Sequence, residues 1–114
     1  MAENTIYIDA AEGSKRVMNN TKLYAKLLSK FKNDSSISQI CEALEKGEMP
    51  QAQGFTHTLK GLSANLSLTE LYKQCVELEA QIKAGSVNPQ QVELVKSAHS
   101  QTIIEADKVI TQYA

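Results

Sequence analysis

Apolar residues recur at helical spacing along most of the chain. Tyr24, Leu27, Leu28 and Phe31 stand at i, i+3, i+4 and i+7, and Ile37, Ile40, Cys41 and Leu44 repeat the pattern. Leu71, Cys75, Leu78 and Ile82 form a third stripe. Val92, Val95, Thr102, Ala106, Val109 and Tyr113 form the last and longest. No stretch alternates with the period of a strand.

Start and stop signals divide this pattern into six helices. Asp9 is placed to cap a short first helix, with Glu12 in the capping-box position and an end near Met18. Its apolar content is thin, and Gly13 weakens it. A second helix spans Thr21 to about Lys32, and a third follows Asp34 or Ser35 as N-cap and stops at Gly47. Pro50 suits the first turn of a fourth, which reaches about Leu66. Ser67 and Glu70 read as a capping box for the fifth, with Leu66 and Leu71 as its hydrophobic staple and Gly85 as its stop. Asn88, Pro89 and Gln91 supply N-cap, N1 and N3 of the sixth. The connections between the later helices are short, which forces antiparallel neighbours. The expected fold is all-α: an antiparallel up-down four-helix bundle with short N-terminal capping helices. Residues 1–114 are expected to form one domain, with residues 1–8 a flexible N-terminus.

The fourth helix raises a question. It carries His57 between Gly54 and Gly61, and each glycine costs about 1 kcal/mol relative to alanine in a helix interior. With His57 at zero on a helical wheel, Phe55, Leu59, Leu62 and Leu66 fall at about 160°, 200°, 140° and 180°. These four make the core stripe, so His57 faces water. Gln53, Gly54, Lys60, Gly61 and Ala64 share its face, within about 60° of it. The glycines clear side chains from around the ring and let another surface approach closely. An exposed imidazole is mostly neutral just above pH 7 and is then a nucleophile without a general base. Lys60, one turn on, can meet a phosphoryl oxygen as a point charge. No second histidine, carboxylate cluster or serine shares the face, which argues against hydrolysis and against a metal site. The arrangement suits a phosphoryl carrier, with the accelerating chemistry supplied by a partner.

Composition narrows the setting. The chain has 114 residues, 42% hydrophobic, with a net charge of −1. That length suits one core, and that charge points to neither nucleic acid nor an anionic membrane. The N-terminus lacks a basic segment followed by an apolar one, and no apolar run approaches the roughly 18–20 residues of a membrane span. The expected location is cytoplasmic. Cys41 and Cys75 form neither a CxxC nor a metal spacing and read as packing residues. The lysines of the second helix, Lys22, Lys26, Lys30 and Lys32, read as a solvated face. No internal repeat or low-complexity segment is present.

The segment "HTLKGLSANLSLTELYKQCVELE" resembles the histidine-containing phosphotransfer (HPt) domain of bacterial two-component phosphorelays. The matching residues are His57, Leu59-Lys60-Gly61, Ser63-Ala64, Asn65-Leu66, Leu71, Cys75 and Leu78-Glu79. The similarity continues weakly upstream through Ile8-Asp9, Gly13 and "LYAKLLSKF". It implies a four-helix bundle in which His57 accepts a phosphoryl group from a receiver-domain aspartate and passes it to another response regulator. Lys60 would stabilise the phosphohistidine, and Gly61 would leave room for the receiver. Gln53, Gly54, Gly61 and Ala64 are the expected docking residues. The resemblance implies no kinase activity in the chain itself, no cofactor, and Mg²⁺ on the receiver. The partners it implies are receiver domains and a hybrid histidine kinase, not nucleic acid or membrane.

Leu62 stands where that family commonly has a small residue, and Ser67 where it often has glycine. Both departures read as structural. His99 lies near the Val95/Thr102 stripe and reads as a border histidine of the core. A monomer is expected, since the site must stay exposed. The starting methionine and compact length point to a free-standing protein. Two other readings compete with the carrier: a docking or sequestering module that binds a receiver without transfer, and a scaffold bundle. A buried His57 would eliminate both functional readings.

Overall fold

The computed structural model describes residues 5–113. Six helices follow one another: α1 (Ala10–Lys15), α2 (Thr21–Lys32), α3 (Ser36–Glu45), α4 (Met49–Asn65), α5 (Thr69–Ala84) and α6 (Pro89–Tyr113). No strand occurs among the described residues. α4 packs against α3 and α5, and α6 against α5 and α2. The result is the expected helical bundle. α2 goes further than capping it: Tyr24, Leu28 and Phe31 lie in the core with Ile40, Leu59, Leu71, Cys75, Leu78 and Val95. Burying each large side chain contributes roughly 1.5–3 kcal/mol. Cys75 is fully buried and its thiol is pushed up to about 12, by burial first and by the charge of Glu79 second. Cys41 is partly buried and also free, so neither cysteine forms a disulfide.

Local chemistry sets the helix boundaries. Asp9 accepts from the Glu12 N–H at 3.1 Å, and Asn20 from the Leu23 N–H at 3.0 Å. Asp34 accepts from the Ser36 N–H at 2.9 Å, so it, and not Ser35, supplies the side-chain oxygen for α3. Asn88 accepts from the Gln90 N–H at 2.9 Å. Gln91 does not reach back to this cap. It donates to the Gln74 main-chain carbonyl at 3.0 Å and ties α6 to α5. Gly85 ends α5 at φ +73. α1 stops at Lys15, three residues earlier than expected, because Met18 and Asn19 turn the chain through positive φ.

The predicted capping box at Ser67 is not formed. Ser67 has φ +57, and the N-cap of α5 is Leu68, without a side-chain bond. The Ser67 hydroxyl instead donates to Glu12 Oε1 at 3.1 Å, and its carbonyl accepts from the Asp9 N–H at 2.9 Å. These contacts clasp α1 onto the α4–α5 turn. The shifted cap also removes the staple, since Leu71 now stands at N3. Leu66 and Leu71 both serve the core instead. The left-handed backbone explains why glycine suits this position. Gly13 serves packing: a Cβ there would lie 2.4 Å from the Tyr24 ring. That ring is held by its hydroxyl, which donates to the Leu66 carbonyl at 2.5 Å.

Candidate functional site

α4 positions the histidine, though its core face is rotated from the one expected. The buried residues are Ala52, Thr56, Leu59 and Ser63, while Phe55 and Leu62 are half-buried flanks. The apolar stripe misplaced the centre because Thr56 and Ser63 are polar by composition only. Their hydroxyls donate to the Ala52 and Leu59 carbonyls at 2.7 and 2.8 Å, so they pack as small, satisfied groups. The rotation leaves His57 outside, with 68% of its side chain exposed, and tips it toward α5.

There it meets a residue that the HPt resemblance matches but gives no role. Glu79 of α5 has only 5% of its side chain exposed. Its Oε2 lies 3.2 Å from His57 Nδ1, and its Oε1 lies 2.7 Å from Lys60 Nζ. Lys83 Nζ approaches Oε2 at 3.7 Å. Burial pushes the Glu79 carboxyl upward, but the Lys60 hydrogen bond and charge, Lys83 and the His57 bond outweigh it. The net shift is downward, and the group is ionised. The bond to Glu79 in turn holds Lys60 above the usual lysine range. An ionised carboxylate only accepts, so His57 Nδ1 is assigned as the donor. In the neutral ring this leaves the lone pair on Nε2. No carboxylate cluster was expected on this face of α4, and the single carboxylate that reaches His57 comes from another helix. The signal available in the sequence was a glutamate one turn after Cys75, on the edge of the α5 stripe.

The expected neighbours Gln53, Gly54, Gly61 and Ala64 lie on the outer side of α4, the glycines exposed and the other two partly so. A Cβ at Gly54 or Gly61 would meet nothing within 4 Å. Nothing among the described residues requires either glycine. Gln53, Gly54, His57, Glu79, Lys83 and Pro50 line an open concavity of about 490 Å³. Ala64 lies at a second one, of about 340 Å³, lined also by Tyr72 and by Glu12 and Arg16 of α1 and the turn after it. Tyr72 and Val76 are exposed apolar residues, 41% and 43%, on the same helix as Glu79. Neither stands out in the sequence, where both fall on the polar side of the α5 stripe. His99 lies apart from this site, half-buried against Phe31 with ring centroids 5.6 Å apart. Burial holds its imidazole below the usual range, opposed by the charge of Asp34.

Fold and site together define a helical bundle that presents one solvent-facing imidazole, backed by a buried carboxylate, on a rigid helix. A protein-family model described as the Hpt domain matches residues 26–106, well over half of the chain. The chain belongs to the Hpt-domain family and thereby has a general role in phosphorelay. Hpt domains as a class interact with receiver domains and hybrid kinases. Searches of curated proteins and of solved structures returned no match. Among the described residues, no helix is long and apolar enough to cross a membrane.

Proposed function

We propose that His57 is the phosphoacceptor and that the chain carries a phosphoryl group from a receiver-domain aspartate to another response regulator. The Nε2 lone pair attacks phosphorus of the aspartyl phosphate. The N–P bond forms as the P–O bond to the aspartate breaks, and the carboxylate leaves with its electron pair. Nδ1 keeps its proton, so the ring becomes a cation, and Glu79 lies 3.2 Å from the nitrogen that holds that charge. Lys60 supplies positive charge beside the phosphoryl oxygens. The second transfer reverses these steps on a different aspartate. Mg²⁺ belongs to the receiver in both.

The observation that carries this reading is the bridge from Glu79 to both His57 Nδ1 and Lys60. A surface used only for docking has no need of an oriented imidazole. Gln53, Gly54, Gly61 and Ala64, joined by Tyr72 and Val76, form the face on which the receiver docks. The site acts in a monomer, because this face must stay open.

The test is incubation with a phosphorylated receiver domain, followed by intact-mass measurement and peptide mapping. The expected product carries one acid-labile phosphoryl group on His57, absent in His57→Gln. Binding of a panel of receivers without transfer would assign the chain to docking or sequestration instead.

A further inference from the structure

The net charge of −1 conceals a strong segregation. Six of the twelve basic residues, Lys15, Arg16, Lys22, Lys26, Lys30 and Lys32, fall within residues 15–32, which contain no Asp or Glu. The rest of the chain holds six basic against thirteen acidic residues, a net −7. Arg16 pairs with Glu12, and Lys32 with Asp107. Lys15, Lys22, Lys26 and Lys30 have no ion pair among the described residues, and all four are exposed. On α2 the last three lie at i, i+4 and i+8, opposite the buried Tyr24, Ala25, Leu28 and Phe31. They form one continuous outer face.

An apolar tip stands at the end of this face. Met18, in the turn between α1 and α2, is 91% exposed, and Leu23 on the next turn is 40% exposed. Met18 adopts φ +58 and Asn19 φ +59. Left-handed backbone is unfavourable for a methionine, and no packing of its side chain offsets this. The tip is therefore apolar and exposed, with Lys15, Arg16 and Lys22 within four residues of Met18 in the chain. Lys30 lines a concavity with Leu62 and Leu66 of α4, and neither the α2 lysines nor Met18 line the concavities at His57 and Ala64, although Arg16 lines the latter.

We infer that the outer face of α2, with the turn before it, docks on an anionic lipid surface, the lysines meeting headgroups and Met18 entering the interface. Charge complementarity and the exposed tip carry the inference. Lysines along one helical face are attracted by a negatively charged leaflet, and a shallow apolar insertion adds the second contact that reversible binding needs. It is independent of the phosphoryl-carrier reading, since it uses none of the residues that line the His57 concavity.

Co-sedimentation of the full chain with phosphatidylcholine vesicles, with and without about 30% phosphatidylglycerol, tests it. Binding is expected on the anionic vesicles only, weakened at least about tenfold when salt rises from about 50 to 500 mM. Lys22→Glu/Lys26→Glu/Lys30→Glu should abolish it and Met18→Ser should weaken it several-fold, a range set by the modest contribution of one apolar side chain. Circular dichroism of both variants should match wild type, and receiver-to-His57 transfer should be unchanged. Equal binding to neutral vesicles, or full binding by the triple variant, would overturn the inference. So would no vesicle binding combined with salt-sensitive retention on immobilised polyglutamate, which would assign the face to an acidic protein.

Discussion

Lys60 and Glu79 meet across the α4–α5 seam, Nζ to Oε1 at 2.7 Å. The pair does more than join two helices. The same carboxylate reaches His57 Nδ1, so the group that holds the lysine beside the imidazole also orients the ring. Removing the carboxylate therefore affects both residues, whereas removing the lysine affects one.

Glu79→Gln is expected to lower the rate of phosphoryl transfer by roughly 10- to 100-fold, the equivalent of one charge-assisted hydrogen bond of about 1.5–3 kcal/mol. Lys60→Ala should slow transfer without eliminating it. Single-turnover kinetics with a phosphorylated receiver measures both. Nitrogen NMR of the His57 ring separates them, since only the Glu79 variant should populate the other tautomer. An unchanged tautomer in Glu79→Gln would show that the carboxylate does not set the ring.

The glycines within helices divide into two kinds. Nothing among the described residues meets a Cβ at Gly54 or Gly61, so each alanine substitution should raise stability by about 1 kcal/mol. Gly61→Leu should leave the fold intact and block transfer by bulk. Gly13→Ala is expected to destabilise by about 1–3 kcal/mol, because the new methyl would meet the Tyr24 ring. Denaturant unfolding tests all three stabilities. A Gly61→Leu protein that transfers at the normal rate would remove the close-approach explanation.

Acidification should weaken the fold in two windows. His99 titrates below its ordinary value in the fold, so the unfolded chain binds the extra proton more readily. Its contribution is complete above about pH 6.5 and is lost as pH falls through the lower, folded value. Glu79 behaves likewise at lower pH. Its folded value is depressed, so its contribution is present above about pH 4.3 and is lost below that. Unfolding midpoints against pH should flatten in the upper window for His99→Gln and in the lower one for Glu79→Gln.

Ser67→Gly should be more stable than Ser67→Ala. Both lose the hydroxyl bond to Glu12, but only glycine relieves the φ of +57, a difference of about 1 kcal/mol. Equal stabilities would mean that the turn tolerates a side chain without strain.

The order, type and approximate limits of the helices, the antiparallel bundle and the exposure of His57 were all legible in the chain. They follow from interactions within a turn or two: apolar residues at i, i+3 and i+4, caps at Asp9 and Asn88, and stops at Gly47 and Gly85. Local rules also placed Lys60, Gly54 and Gly61 around the imidazole, since all four share one helix. They misled at Ser67, where a local capping pattern lost to a contact 55 residues distant, with Glu12. They misled again on the core face of α4, where Thr56 and Ser63 hide their polarity in their own helix. Above all they could not bring Glu79 to His57. Those residues lie 22 positions apart on antiparallel helices, and their meeting depends on the rotation and register with which α4 packs on α5. Close packing of Ala52, Thr56 and Ser63 sets that rotation, and no periodicity within a single helix encodes it.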